Sequence, residues 1–282
     1  MPSKIIDGKK FAEKILNDLK SKIKNMKEKP GLALVLVGSN PASEIYVNFK
    51  EKTCKEVGFY CERFNLDENI GELDLLNLVN DLNQKTNIHG ILVQLPLPKQ
   101  INEHLIINSI LPHKDVDGFT PVSLGNLVSE NTIMAPATAR AVMKLIESTG
   151  INIDGKNAVV VGRSNIVGKP VAMMLLEKNA TVTICHSKTK NLAEHTKKAD
   201  ILVVAAGKPK LITKEMVKEG AVVIDVGISR VEGKIVGDVD FENAKEVAGF
   251  ITPVPRGVGP MTIAMLIENT LKAMEMAQKM KG

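Results

Sequence analysis

VVVGRSNIVGKPVAMMLLEKNATVTICHSKT, residues 159–189, is the stretch that decides the fold. A β-branched run, Val159, Val160 and Val161, enters a turn built on Gly162, Ser164 and Gly168. An apolar helix follows, then a second β-branched run over 181–185. That order is a βαβ unit whose first strand ends in a phosphate-cradling turn. A plain structural turn satisfies the glycines as well, because Ser164 stands where GxGxxG has its second glycine. The end of the second strand adds to the case for a nucleotide. An NAD site usually places an Asp or Glu there to hold the ribose 2′-hydroxyl. This chain has His186, Ser187 and Lys188 instead. A carboxylate would repel a 2′-phosphate, whereas a hydroxyl, an ammonium and the nearby Arg163 guanidinium would hold one. The stretch points to NADP.

The chain has 282 residues, 44% hydrophobic and 24% charged, enough for one large domain or two of ordinary size with a substantial core. Its net charge of +5 comes from lysines spread over the whole length, which reads as a solvated surface. A nucleic-acid binder would want a basic face with stacking aromatics, and this chain has no Trp and two Tyr. The three cysteines, Cys54, Cys61 and Cys185, show neither CxxC spacing nor an even count, so they read as thiols in a reducing compartment. The first ten residues, MPSKIIDGKK, hold no apolar secretory core, and no apolar run approaches the ~20 residues of a membrane span. These features predict a cytoplasmic protein that binds no nucleic acid, no membrane and no metal.

Outward from the βαβ unit, strands and helices alternate. The sequence predicts strands at 5–7, 32–37 and 90–95 and helices at 9–29, from Pro41 to Gly58, at 72–84 and at 102–109. The rhythm lapses over 121–135, which marks a domain boundary. It resumes with a helix at 138–148, strands at 201–205, 221–226 and 250–252, a helix near 213–218, a hairpin over 229–238 and a terminal helix over 261–280. The fold class is α/β with parallel sheets in both halves.

Three places in the first half carry chemistry. On the helix opened by Asn40-Pro41, Ser43, Tyr46 and Lys50 share a stripe. Ile45 and Phe49 form the neighbouring stripe, expected to face the core. Lys50 would then lie at the core edge, where partial burial lowers a lysine pKa toward that of a general base; an ordinary surface lysine has the same spacing. Gln94 ends an apolar strand before Pro96, where ligands meet parallel sheets, although an amide satisfying loop backbone fits there too. The loop Lys114-Asp115-Val116-Asp117-Gly118 pairs two carboxylates, for acid–base work or for an ordinary Asx turn.

Considered together, these segments resemble the bifunctional methylenetetrahydrofolate dehydrogenase/methenyltetrahydrofolate cyclohydrolase family, often called FolD, over almost the whole chain. The matching residues are Tyr46-Val47-x-x-Lys50-x-Lys52, the run from Gly90 through Gln94 to Pro98, Lys114–Gly118, Val161-Gly162-Arg163-Ser164-x-Ile166-Val167-Gly168-x-Pro170, and Thr252-Pro253-Val254-Pro255 with Gly257–Thr262. The resemblance implies a folate-binding catalytic domain over 1–120, completed by the helix 262–282. It also implies a Rossmann-type NADP-binding domain over 121–261, with the active-site cleft between the two. It implies NADP-dependent oxidation of 5,10-methylenetetrahydrofolate and hydrolysis of the methenyl product to 10-formyltetrahydrofolate, in the one-carbon metabolism that feeds purine biosynthesis, by a homodimer. Lys50 is then the essential lysine, Gln94 its tuning partner, Asp117 the carboxylate that reads the pterin edge and Tyr46 the ring that packs on the folate. Pro255 and Gly257 line the folate, and Gly162, Arg163, Ser164, Ser187 and Ile228 contact NADP. Two positions depart from the family pattern. Arg256 replaces a glycine of PVPGGVGP, and Pro136-Ala137-Thr138-Ala139 replaces the commoner PCTP. Two other readings stay open: a dehydrogenase with little cyclohydrolase activity, and an NADP-binding module whose folate site Arg256 blocks.

Overall fold

The computed structural model describes residues 3–281. In chain order its first elements are β1 (Lys4–Ile5), α1 (Gly8–Lys24), β2 (Gly31–Val37), α2 (Pro41–Val57), β3 (Tyr60–Leu66), α3 (Glu72–Gln84) and β4 (Gly90–Val93). Next come α4 (Glu103–Ser109), α5 (Pro121–Val128), α6 (Ala137–Glu147), β5 (Asn157–Val161), α7 (Gly168–Glu177), β6 (Thr181–Cys185), α8 (Leu192–Thr196) and β7 (Ile201–Val204). The last are β8 (Val222–Asp225), β9 (Ser229–Val231), β10 (Lys234–Val236), α9 (Phe241–Ala244), β11 (Phe250–Ile251) and α10 (Val258–Lys281).

The chain forms two compact units. One comprises Lys14–Ala137 with the residues from Ile263 onward; the other comprises the residues up to Glu13 with Thr138–Thr262. This division differs from the expected break at 120/121, for two local reasons. β1 pairs in parallel with β11, Lys4 opposite Phe250, which gives the first residues to the second unit. Thr120 and Ser123, which open α5, are bonded to Asp115, which keeps 121–137 with the first.

The first unit holds a three-stranded parallel sheet, β3-β2-β4. β2 is buried at all seven positions, as a strand covered on both faces must be, which explains its unbroken apolar run. Ala33, Val35 and Val37 pack with Leu75, Val79 and Leu82 of α3 and with Ile106 and Ile107 of α4. The sequence reading missed β3. Its YCERFNL mixes Glu62, Arg63 and Asn65 with apolar residues and is only half buried, so it shows no apolar run. α5 was missed too: Pro121 at its first position and the Thr120 cap open a helix within the stretch where the strand–helix rhythm lapses. α1 stops at Lys24, short of 29, where the Lys29 ammonium donates to the carbonyls of Ile23 (2.7 Å) and Lys24 (3.2 Å) and closes the helix end.

The second unit holds a six-stranded parallel sheet, β1-β11-β8-β7-β5-β6. β5, β7 and β8 are almost entirely buried and supply Val159, Val161, Leu202, Val204 and Val223 to one core. The chain runs from β5 to β6 on one side and then returns past β5 to β7, so the sheet order reverses between β5 and β7. In doubly wound sheets ligands bind at the carboxyl ends of the strands flanking that reversal. The helix expected near 213–218 is a single 3₁₀ turn, Lys214–Met216. Among the described residues, no helix is long and apolar enough to cross a membrane.

Candidate active site

α2 begins at Asn40, whose side-chain oxygen accepts from the N–H groups of Ala42 (3.0 Å) and Ser43 (3.2 Å). Its buried residues are Ser43, Val47, Lys50, Cys54 and Val57, a stripe repeating at four- and three-residue intervals. Ile45 and Phe49, expected to face the core, are instead 45% and 55% exposed. The stripe runs through Val47 rather than Phe49, so Lys50 lies within the buried face and not at its edge, 8% exposed. Tyr46 is half-buried beside it.

The Lys50 ammonium donates to Gln94 Oε1 at 3.0 Å. Gln94 follows β4; its N–H donates to the Val35 carbonyl of β2, and its side-chain amide to the Leu95 carbonyl at 2.8 Å. The peptide bond from Leu95 to Pro96 is cis. Burial pushes Lys50 below the usual lysine range, and the Asp117 charge partly opposes it. Burial pushes Asp117 up, opposed by Lys50 and reinforced by Asp115. Burial also raises the Tyr46 phenol. An amine held by an amide and made easier to deprotonate, with a carboxyl nearby, is equipped for proton transfer.

The two aspartates of the Asp115–Gly118 loop differ in structure. Asp115 is 1% exposed and accepts four bonds. Gly118 N (2.9 Å) and Phe119 N (3.1 Å) reach one oxygen; Thr120 N (2.8 Å) and Ser123 Oγ (2.7 Å) reach the other. Asp117 takes none of these bonds. The loop is held to the sheet by a parallel bridge between Asp115 and Ile91, and to α10 by Asn269, which donates to the Val116 carbonyl at 2.8 Å.

The residues expected at the cofactor lie in the second unit, at the carboxyl ends of its strands. Gly162 follows β5 at φ +135°, and a Cβ there would sit 2.2 Å from the Ala205 carbonyl oxygen beyond β7. Only glycine fits so close an approach. Ser164 Oγ accepts from Val167 N (3.1 Å) and Gly168 N (3.4 Å), so it caps α7. Arg163, Ser187 and Ile228 are exposed. His186 Nδ1 accepts from Lys188 N, and His186 N donates to Thr189 Oγ1, which shapes the turn around Ser187. A cradle that a Cβ would fill, at the reversal of a parallel sheet and followed by a hydroxyl and lysine instead of a carboxylate, fits a phosphorylated dinucleotide.

Pro255 and Gly257 sit in a loop whose Val254–Pro255 peptide is cis. Arg256 between them has φ +86°, a conformation natural to glycine. Its guanidinium donates to Asp7 at 2.8 Å, and its carbonyl accepts from Lys9 N at 2.9 Å. Asp7 also accepts from Lys10 N, at the start of α1. Arg256 is therefore tied to the N-terminus of α1. A separate cavity of about 420 Å³, lined by Asn157, Thr183, His195 and Lys198 among others, contains none of these site residues. Among the described residues, no cluster of three or more His, Cys, Asp or Glu is placed to hold a metal.

Residues 6–117 match the model of the tetrahydrofolate dehydrogenase/cyclohydrolase catalytic domain, and residues 136–278 match that of its NAD(P)-binding domain. The chain belongs to the tetrahydrofolate dehydrogenase/cyclohydrolase family. The bifunctional protein FolD of Moorella thermoacetica is 56% identical over 277 residues, covering 97% of this chain and 99% of that one. The crystal structure of bifunctional FolD from Campylobacter jejuni superposes with a TM-score of 0.94 at 50% identity, covering 97% and 99% of the two chains. The Trypanosoma brucei dehydrogenase-cyclohydrolase, solved with NADP and an inhibitor, gives 0.95 at 38% identity over 99% of both.

In this member of the dehydrogenase/cyclohydrolase family the structure brings Lys50, Gln94 and Asp117 together, with Tyr46 alongside. It places Gly162 and Ser164 in one turn. The sequence reading overlooked Asp115 as the scaffold of its loop; the run of Gly, Thr and Ser just after it was the available signal. It also passed over the buried carboxyls of Asp225 and Asp238, 3% and 0% exposed. Asp225 closes an apolar run in the sequence, as Gln94 does, and that pattern was the clue.

Proposed function

We propose that this chain oxidises 5,10-methylenetetrahydrofolate with NADP and hydrolyses the 5,10-methenyl product to 10-formyltetrahydrofolate. The observation that carries the reading is the buried Lys50 bonded to Gln94 and electrostatically paired with Asp117, in a chain of the dehydrogenase/cyclohydrolase family. Bound NADP would supply the hydride acceptor. Lys50, Gln94 and Asp117 are the catalytic residues of this reading. Asp117 accepts from the amine and ring N–H of the pterin, a role suited to a carboxyl free of the bonds that occupy Asp115. Tyr46 offers the folate ring a flat partner, and Pro255 and Gly257 line the folate on the resemblance alone.

The methenyl carbon is already cationic, so hydrolysis needs a placed water and an acceptor for its proton. Neutral Lys50 takes one water proton as the water oxygen bonds to carbon; the bond from that carbon to N5 then breaks, the hydroxyl proton ends on N5, and the formyl group stays on N10. Gln94 keeps the amine aimed. Folate chemistry belongs to the unit that carries Lys50, and the cofactor to the unit that carries Gly162. The resemblance also supports a cytoplasmic homodimer supplying one-carbon units for purine biosynthesis.

A spectrophotometric assay with methylenetetrahydrofolate and NADP, with NAD in parallel, tests the reading. NADPH formation with methenyl hydrolysis faster than the enzyme-free rate supports it. No turnover with either cofactor refutes it and favours an NADP-binding module. In this reading Arg163 and Ser187 meet the 2′-phosphate. Arg163→Ala is therefore expected to weaken NADP binding by about 1.5–3 kcal/mol, the value of a charged hydrogen bond, and to leave NAD binding nearly unchanged. Calorimetric titration of both cofactors checks this; equal losses contradict the 2′-phosphate contact.

A further inference from the structure

At the carboxyl ends of β7 and β8 the chain buries two carboxyl groups that the reaction does not use. Asp238 is fully buried; its Oδ2 accepts from both Ala206 N and Gly207 N, each at 2.7 Å, in the loop after β7. Asp225, 3% exposed at the end of β8, accepts from Gly227 N (2.9 Å), Asp238 N (3.0 Å) and Val239 N (2.9 Å). Its own N–H donates to Thr252 Oγ1 at 2.8 Å. Two glycines make the room. A Cβ on Gly227 would lie 2.2 Å from the Asp238 carboxyl carbon, and one on Gly237 would lie 2.0 Å from Asp225 Oδ2.

This arrangement is expensive. Asp238 Oδ1 is buried with no hydrogen-bond partner. Burial, with the Asp238 charge adding to it, raises Asp225 to about 7. A fold that needed only packing here would place apolar groups. What the pair achieves is connection: through it, the loop after β7 and the loop after β8 are bonded to one another. Those loops flank the strand ends beyond the sheet reversal. Gly162 and Ser187 take the first half of a dinucleotide at β5 and β6, so its other half crosses to β7 and β8.

We propose that Asp238, seated by Asp225, is a positioning residue for the nicotinamide half of NADP, holding the Ala206–Gly207 and Gly227–Ile228 backbones in the shape that receives it. The proposal rests on the NADP reading above. Charge-assisted bonds to backbone N–H groups are roughly twice as strong as neutral ones, so the charge itself contributes to the hold.

Asp238→Asn tests this, because it keeps the size and one acceptor oxygen while removing the charge. The expected result is a rise of about tenfold or more in the KM for NADP, with the KM for methylenetetrahydrofolate unchanged. Cyclohydrolase turnover, which involves no redox step, should stay within about twofold. An unchanged KM for NADP overturns the proposal, as does a parallel fall in both activities. Asp225→Asn provides the second variant if the first does not fold, with the same split expected. Failure of both to fold also overturns the proposal, since the pair would then serve stability alone. Lack of NADP-dependent turnover in the unmodified enzyme would instead refute the functional reading itself.

Discussion

Lys50→Met is expected to lower cyclohydrolase turnover by about 10²–10⁴-fold, the usual contribution of a positioned general base, and to lower dehydrogenase turnover with it. The fold should survive. Methionine has a similar length and suits the stripe of Val47, Cys54 and Val57, and Asp117, whose pKa burial already raises, can take up a proton once the opposing ammonium is gone. Lys50→Arg is the sharper companion: it keeps a cation and a donor for Gln94 but stays protonated, so it should be nearly as inactive. Unmodified enzyme should gain cyclohydrolase rate as pH rises, because the base works when neutral. Burial lowers the Lys50 pKa, which moves that rising limb below where an ordinary lysine would put it. Full activity in either variant, or a flat pH profile that persists across the lysine range, would exclude Lys50 as the base.

Asp115→Ala should reduce stability by about 4 kcal/mol or more, the largest loss expected from a single exchange in the site. Removing the carboxylate leaves Phe119 N, Thr120 N and Ser123 Oγ without that acceptor, and Gly118 N with only the Asp115 backbone carbonyl at 3.2 Å. Buried donors left unsatisfied cost about 1–3 kcal/mol each, and solvent entering the loop recovers part of that. Equilibrium urea unfolding would read the loss as a lower midpoint. Asp117→Asn, two residues away, should change stability by no more than about 1 kcal/mol while strongly reducing turnover, since Asp117 takes none of the loop's bonds and its charge opposes that of Lys50. Similar unfolding midpoints for the two variants would mean that the division of labour between these carboxyls is wrong.

That division was hidden from the sequence. Asp115 and Asp117 have the same chemistry and nearly the same neighbours; only the path of the chain after Gly118 decides which one is enclosed. The helix face around Lys50 was misjudged for a similar reason. Ile45 and Phe49 are the more hydrophobic pair, but geometry buries the stripe of Ser43, Val47 and Lys50. Strands covered on both faces were easy to read, because β2, β5 and β7 must be apolar throughout. The edge strand β3 was not, since one exposed side lets Glu62 and Arg63 break the pattern. Gln94 was legible as a polar residue closing an apolar run, whereas its bond to Lys50 joins residues 44 positions apart and needed the structure.

The pairing of β1 with β11 also bears on how the chain is made. Lys4 and Ile5 leave the ribosome well before their partners, Phe250 and Ile251. At about 5–20 residues per second, that separation leaves the opening strand waiting for roughly 12–50 s. Asp7 waits longer still, for the Arg256 guanidinium that holds it. The six-stranded sheet thus cannot close until residues 250–251 have been made. A nascent chain stalled before residue 250 should leave the segment around Lys4 and Ile5 open to protease, while one extended past α10 should protect it.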